Sequence, residues 1–390
     1  MQKHYDYIVI GCGGIGSGAA YWLARRAGAS VLGIEQYKLG HHNGGSQDHS
    51  RIIRLTYHHA KYTRLTPHTY TAWAALEEES GVQVVTRTGS VEAAWKAGAY
   101  LGDIETYAGA MDAANIGYER FDGDELRYRY PQFTLDGDVD VLWQADTGIA
   151  DAAKGNAAHV ATARLHGATI LDQCTVYEIN PTADGAQVVS EQGTFTCHKL
   201  IVTAGAWTNR LLASVGMRLP LTVTQEQVTY YATPHLQEFA VGRFPIFIWH
   251  DAQVMYGFPV YGEVATKAAI DASGPTVTPE SRTFAPDPVR EKLVDEWLAR
   301  HIPHFGGPKL YTKSCLYTMP PDRDFIIEAL PAHPQIMLCV GAGHAYKFAS
   351  LLGKILSQLA IDGHTEYPIG DFTLQRPALT DPAYEAVFHI

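Results

Sequence analysis

The 390-residue sequence has few cysteines and few charges, and each shortage excludes a class of protein. Its five cysteines are scattered, odd in number and without the C-x-x-C spacing of many metal sites. This pattern argues against a disulfide framework and a metal site, and it favours a reducing compartment. Charged residues make up 18% of the chain and hydrophobic residues 46%, which excludes a disordered protein and indicates a globular one.

Positive charge and long apolar runs are also scarce. The net charge is −11, and the lysines and arginines form no stripe, so we expect neither nucleic acid nor an anionic membrane as a partner. No apolar run approaches the about 20 residues of a membrane helix, and we find neither a signal peptide nor a peroxisomal signal. We therefore expect a cytoplasmic protein, monomeric or a small homo-oligomer, that acts on small molecules.

The N-terminal segment predicts a dinucleotide-binding βαβ unit. An apolar, β-branched run over 5–10 leads into Gly-Cys-Gly-Gly-Ile-Gly at 11–16, then into an alanine-rich helix and a second strand that ends at Glu35. In this pattern Gly11 permits a tight turn, Gly13 admits a pyrophosphate, Gly16 lets helix pack on strand, and Glu35 accepts from a ribose hydroxyl. The alternative is a glycine-rich turn that binds nothing, and the motif alone does not separate FAD from NAD.

A second glycine-rich turn lies near the end of the chain. An apolar run over 336–340 leads into Gly-Ala-Gly-His-Ala-Tyr-Lys at 341–347, which predicts a strand, a turn and then a helix from about residue 346. Such a junction brings backbone N–H groups and Lys347 to one point that suits a cofactor or an anion. Upstream, Cys315 and Tyr317 are two residues apart, so in a strand their side chains share a face.

The polar segment 43–54 has two readings. A helix that starts near Ser50 would place Arg51 and Arg54 on one face. That helix could be a solvated surface element, or the segment could be a polar loop that covers a cofactor and offers an arginine to a carboxylate.

The order of predicted elements indicates a mixed α/β fold with two interleaved domains. Segments 1–85, 145–218 and 314–390 are predicted to form a Rossmann-like nucleotide domain, because each contains strands that run into glycine-rich turns. Segments 86–144 and 219–313 hold alternating strands and a helix over about 289–301, and are predicted to form an antiparallel-sheet substrate domain.

The chain resembles the monomeric sarcosine oxidase and N-methyltryptophan oxidase family of flavoprotein amine oxidases. The resemblance spans essentially the whole chain. It rests on 11–16, Ser-Arg-Ile-Ile-Arg at 50–54, 203–207, Tyr-Gly-Phe-Pro at 256–259, 314–318, 324–327 and 344–348. It implies FAD rather than NAD, bound between the nucleotide domain and the antiparallel substrate sheet.

The resemblance also implies roles for individual residues. Cys315 matches a cysteine that bonds covalently to the flavin, and Lys267 matches a lysine that stabilises negative charge when oxygen is reduced. Arg54 and Lys347 match the pair that holds the substrate carboxylate; Tyr317 matches their hydrogen-bonding partner, and Arg51 an arginine beside the flavin. Tyr256, Gln47 and Asp271 fall at substrate-contacting positions. The implied cofactor-binding residues are Gly11, Gly13, Ile15, Gly16, Glu35, Ser46, Arg51, Val176, Gly205, Cys315, Gly341, Gly343, His344 and Lys347.

Two substrate-contacting positions depart from the family pattern. Gln47 and Asp271 stand where histidines are common, and an unpaired aspartate repels a carboxylate. The alternative is that Asp271 points to solvent or pairs with a lysine. If it is unpaired, we expect a poor sarcosine oxidase that prefers a larger polar substrate, such as a fructosyl amino acid or a functionalised cyclic amino acid.

The resemblance implies oxidation of a carboxylate-bearing amine to an imine, with reduction of O₂ to H₂O₂. Two alternatives stay open: an amine dehydrogenase that uses another electron acceptor, and a flavin-binding protein without activity.

Overall fold

The computed structural model describes residues 2–388. The described residues form nineteen strands: β1 (His4–Ile10), β2 (Val31–Ile34), β3 (Arg51–Ile53), β4 (Val85–Arg87), β5 (Ser90–Trp95), β6 (Glu119–Asp122), β7 (Val139–Gln144), β8 (Gly148–Ala150), β9 (Thr169–Leu171), β10 (Val176–Thr182), β11 (Gly185–Ser190), β12 (Gly193–Val202), β13 (Thr222–Tyr231), β14 (Ile246–His250), β15 (Met255–Phe258), β16 (Thr266–Ile270), β17 (Lys309–Met319), β18 (Ile326–Leu330) and β19 (His333–Val340). The same residues form ten α-helices: α1 (Gly14–Ala27), α2 (Ala60–Thr63), α3 (Thr66–Ser80), α4 (Leu101–Asp112), α5 (Gly123–Arg129), α6 (Ala152–Leu165), α7 (Thr208–Leu212), α8 (Pro288–His301), α9 (Ala349–Asp362) and α10 (Pro377–Thr380).

The first large sheet has β1 near its centre. Strand β1 pairs in parallel with β2 and β12, β2 pairs with β9, and β12 pairs in parallel with β19. Helices α1, α6 and α9 pack together against this sheet, so the apolar strands are buried on both faces. Helix α6 begins after Asp151, whose carboxylate accepts from the N–H of Lys154 and so caps the helix.

The second large sheet has the strand order β17-β13-β16-β15-β14-β5-β7-β6. Neighbouring strands run antiparallel, except that β14 and β5 are parallel. Its strands come from two separate stretches of sequence, which is the interleaving that the sequence predicted. A third, small sheet joins β3, β8 and β4. The predicted mixed α/β fold class is confirmed.

Two local expectations differ from the structure. Residues Arg51–Ile53 form strand β3 and not a helix, because they pair with β8, nearly a hundred residues further along the chain. The domain boundary predicted between residues 313 and 314 falls inside β17, whose ladder with β13 runs without a break from Lys313 to Met319. Residues 314–319 therefore belong to the antiparallel sheet.

Among the described residues, no helix combines the length and apolar composition that crossing a membrane requires.

Candidate active site

A cavity of about 600 Å³ is lined by residues of both large sheets. Nearly all residues that the sequence singled out line it: Gly11, Gly13, Ile15, Glu35, Ser46, Gln47, Arg51, Arg54, Val176, Gly205, Tyr256, Lys267, Asp271, Cys315, Tyr317, Gly341, Gly343, His344 and Lys347. Gly16 is the exception, because it lies behind the turn. A Cβ at Gly16 would stand 1.7 Å from the carbonyl oxygen of Gly11, so only glycine lets α1 pack this closely on the end of β1.

The N-terminus of α1 opens onto this cavity. Gly13 is its N-cap residue, no side chain caps the helix, and its first turn holds no acidic residue, so its N–H groups can receive an anion. Nearby, the buried carboxylate of Glu35 accepts from the N–H groups of Cys12 at 2.9 Å and Tyr37 at 3.1 Å. A carboxylate has about four acceptor sites, so Glu35 retains capacity for a ribose hydroxyl. The end of the cavity formed by these residues fits the adenosine diphosphate half of FAD.

Cys315 lies in the middle of β17, and its side chain shares the cavity face with Tyr317. The polar loop before β3 packs against this strand: Gln47 Nε2 donates to the carbonyl oxygen of Ser314 at 3.0 Å, and the N–H of Leu316 donates to the carbonyl oxygen of Gly44 at 3.3 Å. Burial raises the pKa of the Cys315 thiol, although the charges of Arg51 and Lys267 oppose the rise. The thiol therefore faces the cavity beside two cations that favour its thiolate.

Gln47 has a different immediate role from the one expected. Its amide nitrogen holds the strand that carries Cys315, whereas its oxygen Oε1 is buried without a hydrogen-bond partner. The residue thus positions the Cys315 strand, and only Oε1 remains to meet a ligand.

Lys267 is the second residue of β16 and is buried, and its ammonium group is paired with Asp48. Its Nζ donates to Asp48 Oδ2 at 2.8 Å and to the carbonyl oxygen of Ser50 at 2.8 Å. Its Nζ also lies 4.7 Å from the ring centroid of Phe258. Burial lowers the pKa of Lys267 to about 8, against the opposing effect of Asp48.

Arg54 has a carboxylate partner as well. Its Nη1 lies 3.3 Å from Oε1 of Glu92, a buried residue of β5, and its Nη2 donates to the hydroxyl of Tyr107 at 3.5 Å. Burial lowers the pKa of the Arg54 guanidinium, but Glu92 together with Tyr107 and Tyr57 more than offsets burial and raises the pKa above its ordinary value. Because Nε and Nη1 have no hydrogen-bond acceptor, the guanidinium keeps donors free for a ligand.

Arg54 and Lys347 meet on one aromatic ring. The Cζ atom of Arg54 lies 4.9 Å from the ring centroid of Tyr57, and Nζ of Lys347 lies 5.3 Å from the same centroid. Lys347 donates to two neutral oxygens, the Tyr57 hydroxyl at 3.1 Å and the His344 carbonyl at 3.0 Å. Burial and the charge of Arg54 lower the pKa of Lys347 well below its ordinary 10.5, so an added carboxylate would stabilise its charged form.

Both ring nitrogens of His344 are engaged within the protein. Its Nε2 lies 3.0 Å from the carbonyl oxygen of Arg323, so Nε2 carries the proton, and Nδ1 accepts from the Tyr57 hydroxyl at 2.8 Å. Burial, followed by the charge of Arg323, lowers the pKa of His344 well below 6.5. The imidazole is therefore neutral and structural.

Asp271 is paired with the fully buried Arg323, so the condition under which it was expected to repel a carboxylate, an unpaired charge, is not met. Its Oδ2 accepts from Nη2 of Arg323 at 2.8 Å, and its Oδ1 accepts weakly from the Tyr317 hydroxyl at 3.4 Å. Burial would raise the pKa of Asp271, but Arg323 outweighs it and holds the pKa below the ordinary value. The reason to expect poor turnover of sarcosine is thereby removed.

Sequence reasoning missed the partners of the predicted residues. Asp48 and Tyr57 lie three residues from Arg51 and Arg54 in the chain. Glu92 and Arg323, in contrast, are far in the chain from the residues that they pair with. Asp48 and Arg323 do occur beside strings that the resemblance used, and both have backbone φ angles in the left-handed region, +95° and +54°. That conformation is uncommon for residues other than glycine, but it cannot be read from the sequence.

Comparisons with known proteins agree with this site. A family model described as FAD dependent oxidoreductase matches residues 6–359. The chain is 32% identical to a monomeric sarcosine oxidase of Streptomyces avermitilis, over 97% of this chain and 99% of that protein. It is 27% identical to an N-methyl-L-tryptophan oxidase of Escherichia coli, over 95% of this chain and 99% of that protein. In structure it resembles NikD, described as an unusual amino acid oxidase essential for nikkomycin biosynthesis, with a TM-score of 0.85, 27% identity, and coverage of 95% of this chain and 98% of that one.

The fold and the site therefore define a flavoenzyme that oxidises its substrate. The chain belongs to the family of FAD-dependent oxidoreductases whose model spans most of its length.

Proposed function

We propose that the protein oxidises the C–N bond of an N-substituted or cyclic amino acid to an imine and reduces O₂ to H₂O₂. The observation that carries the proposal is the placement of Arg54 and Lys347 around Tyr57, in the same cavity as the N-terminus of α1. The amine loses two electrons and two protons, and O₂ gains both to give peroxide. Water then hydrolyses the imine.

FAD, when bound, would accept a hydride equivalent from the carbon next to nitrogen and pass the electrons to oxygen. The chain's own residues orient the amino acid for this reaction. Arg54 offers a planar fork to the carboxylate, and Lys347 offers a point charge. Fixing the carboxylate at two points places the adjacent C–H in one orientation, which is the main contribution of such contacts to rate.

A further cation of the cavity, Lys267, serves oxygen. Lys267 presents a buried positive charge where negative charge develops during oxygen reduction, and a preorganised charge acts most strongly in a site that excludes water. We further propose that the protein acts in the cytoplasm, because none of its five cysteines forms a disulfide. We also propose that it is a monomer or a small homo-oligomer.

The function is tested by adding amines to the FAD-loaded protein without oxygen. We expect the flavin absorbance to bleach with at least one of sarcosine, N-methyltryptophan, pipecolate and fructosyl-glycine, and peroxide to form when air is admitted. Bleaching without peroxide would indicate a dehydrogenase that uses another acceptor. No bleaching with any N-substituted or cyclic amino acid would leave only a flavin-binding protein and contradict the proposal.

We also propose that FAD is attached covalently through Cys315, whose thiol faces the cavity beside Arg51 and Lys267. Acid-precipitated wild-type protein is expected to stay yellow, and a tryptic peptide that contains Cys315 is expected to carry the mass of the flavin. Cys315→Ala should release all its flavin into the acid supernatant.

Cys197→Ala is the matched control for that experiment, because Cys197 is another buried thiol but does not line the cavity. It should retain its flavin in the pellet. Flavin in the supernatant of fully loaded wild-type protein would overturn the assignment.

A further inference from the structure

The ammonium group of Lys267 has three donors, and all three are satisfied by the segment that precedes β3. Asp48 Oδ2 accepts at 2.8 Å, the carbonyl oxygen of Ser50 at 2.8 Å and the Ser50 hydroxyl at 3.0 Å. Lys267 is 2% exposed and Asp48 4% exposed, so water does not share this pair. The position and charge of Lys267 are therefore set by a segment that is 217 residues or more away in sequence.

Asp48 is itself held from several sides. Its Oδ1 accepts from the Tyr230 hydroxyl at 2.6 Å and from Nζ of Lys313 at 3.2 Å, and Nη1 of Arg51 lies 3.7 Å from Oδ2. Its backbone φ is +95°, in the region that glycine adopts most readily. A buried aspartate in an unfavourable backbone conformation is retained when the surrounding structure requires it, and such residues concentrate at functional sites.

We propose that Asp48 is a positioning residue that keeps Lys267 protonated and aimed into the cavity at the pH at which the enzyme works. This inference rests on the oxygen-reducing role proposed for Lys267. Asp48 is the only carboxylate within salt-bridge distance of Lys267 in the described part of the chain, whereas the neighbouring Arg51 carries a like charge that disfavours the ammonium form.

The direction of the pH effect follows from the groups that face Lys267. Burial disfavours its charge, as does Arg51, whereas Asp48 acts in the opposite direction through its charge and its hydrogen bond. The ring of Tyr230 lies 5.5 Å from Nζ. These effects together place the pKa of Lys267 at about 8. Loss of an opposite charge at this distance typically shifts a pKa by about one to three units, so without Asp48 the lysine would lose its proton below neutral pH.

The experiment compares wild-type holoenzyme with Asp48→Asn and Asp48→Gly. Glycine removes the carboxylate and also suits the φ of +95°, so this variant folds even if the asparagine variant does not. The FAD of each protein is photoreduced without substrate, and its reoxidation by O₂ is followed from pH 5 to 9. Both variants are expected to lose oxygen reactivity at a pH about one to three units lower than wild type. At pH 8 their rate should be about fivefold or more below wild type, because half of the wild-type lysines but at most about a tenth of the variant lysines are protonated there.

A second measurement does not depend on turnover. The absorbance spectrum of bound, oxidised FAD is titrated over the same pH range, and the transition that is absent from Lys267→Met reports Lys267. This transition should move to lower pH in both Asp48 variants. An unmoved transition, or a rate profile that falls evenly at all pH values, would overturn the proposal.

Lys313→Met is the matched control, because it removes a different partner of the same carboxylate. A merely structural disturbance around Asp48 would affect all three variants alike. Our proposal predicts instead that Lys313→Met does not lower the pH at which oxygen reactivity is lost. Failure of the proposed function remains distinguishable: if no amine bleaches the flavin, photoreduction and the spectral titration still test Asp48.

Discussion

Lys267→Met is expected to slow the reaction of the reduced enzyme with O₂ by on the order of 10²-fold or more, which is typical for loss of one preorganised group at a developing negative charge. Reduction by the amine should change little, because Lys267→Met leaves intact Arg54 and Lys347, the residues that we propose hold the substrate carboxylate. Stopped-flow absorbance of the flavin measures the two half-reactions separately. The variant should fold, since Asp48 keeps hydrogen bonds from Tyr230 and Lys313.

The control for this result is again Lys313→Met, which removes a lysine that binds the same carboxylate but is 28% exposed at its side chain. It should leave oxygen reactivity within a few-fold of wild type, because an exposed charge is screened by solvent. Equal slowing of reduction and reoxidation in Lys267→Met would remove Lys267 from the oxygen step.

Arg54→Met is expected to lower kcat/KM for amino acid substrates by roughly 30-fold to several thousand-fold, corresponding to the about 2–5 kcal/mol lost when one partner of a buried charge pair is removed. Two losses combine. The substrate carboxylate loses the planar guanidinium that would bind it at two points, and buried Glu92 loses the cation 3.3 Å away. Arg54→Lys retains the charge without the fork and should be less damaged.

The Arg54 experiment separates these two losses by its choice of substrates. An N-methyl amino acid and the corresponding N-methyl amine without the carboxylate are compared by flavin bleaching under nitrogen. If Arg54 binds the carboxylate, the variant loses its preference for the acid. If both compounds suffer equally, Arg54 only supports the structure through Glu92.

The sequence predicted the elements whose signals are local. A strand that runs into a glycine-rich turn was recognised at 5–16 and at 336–347, since glycine placement and apolar runs occupy neighbouring positions. A helix from Ser50, one of the two readings of segment 43–54, does not form because β3 is stabilised by pairing with β8, and such pairing overrides local preference. The boundary at residue 313 failed for a related reason: β17 crosses it without any change of composition.

The sequence predicted individual residues of the candidate site but not the ion pairs that they form. The resemblance placed Lys267, Arg54 and Asp271, yet their partners Asp48, Glu92 and Arg323 are 219, 38 and 52 residues away in the chain. No sequence pattern connects such positions, because each ion pair forms only when different elements pack together. The electrostatics of the cavity depend on these pairs, and so the substrate argument from Asp271 failed.

The position of Cys315 on β17 has a mechanical consequence. The strand belongs to the antiparallel sheet, whereas Gly11, Gly13 and Glu35 lie at the end of the parallel sheet. If the covalent bond proposed at Cys315 forms, a cofactor that also contacts those three residues would connect the two sheet layers. Opening of the parallel layer would then leave the cofactor attached to the other layer and positioned for recapture. The protein would thus retain its FAD during partial unfolding. The rate of FAD loss would then no longer depend on the stability of the layer that binds the nucleotide half of FAD.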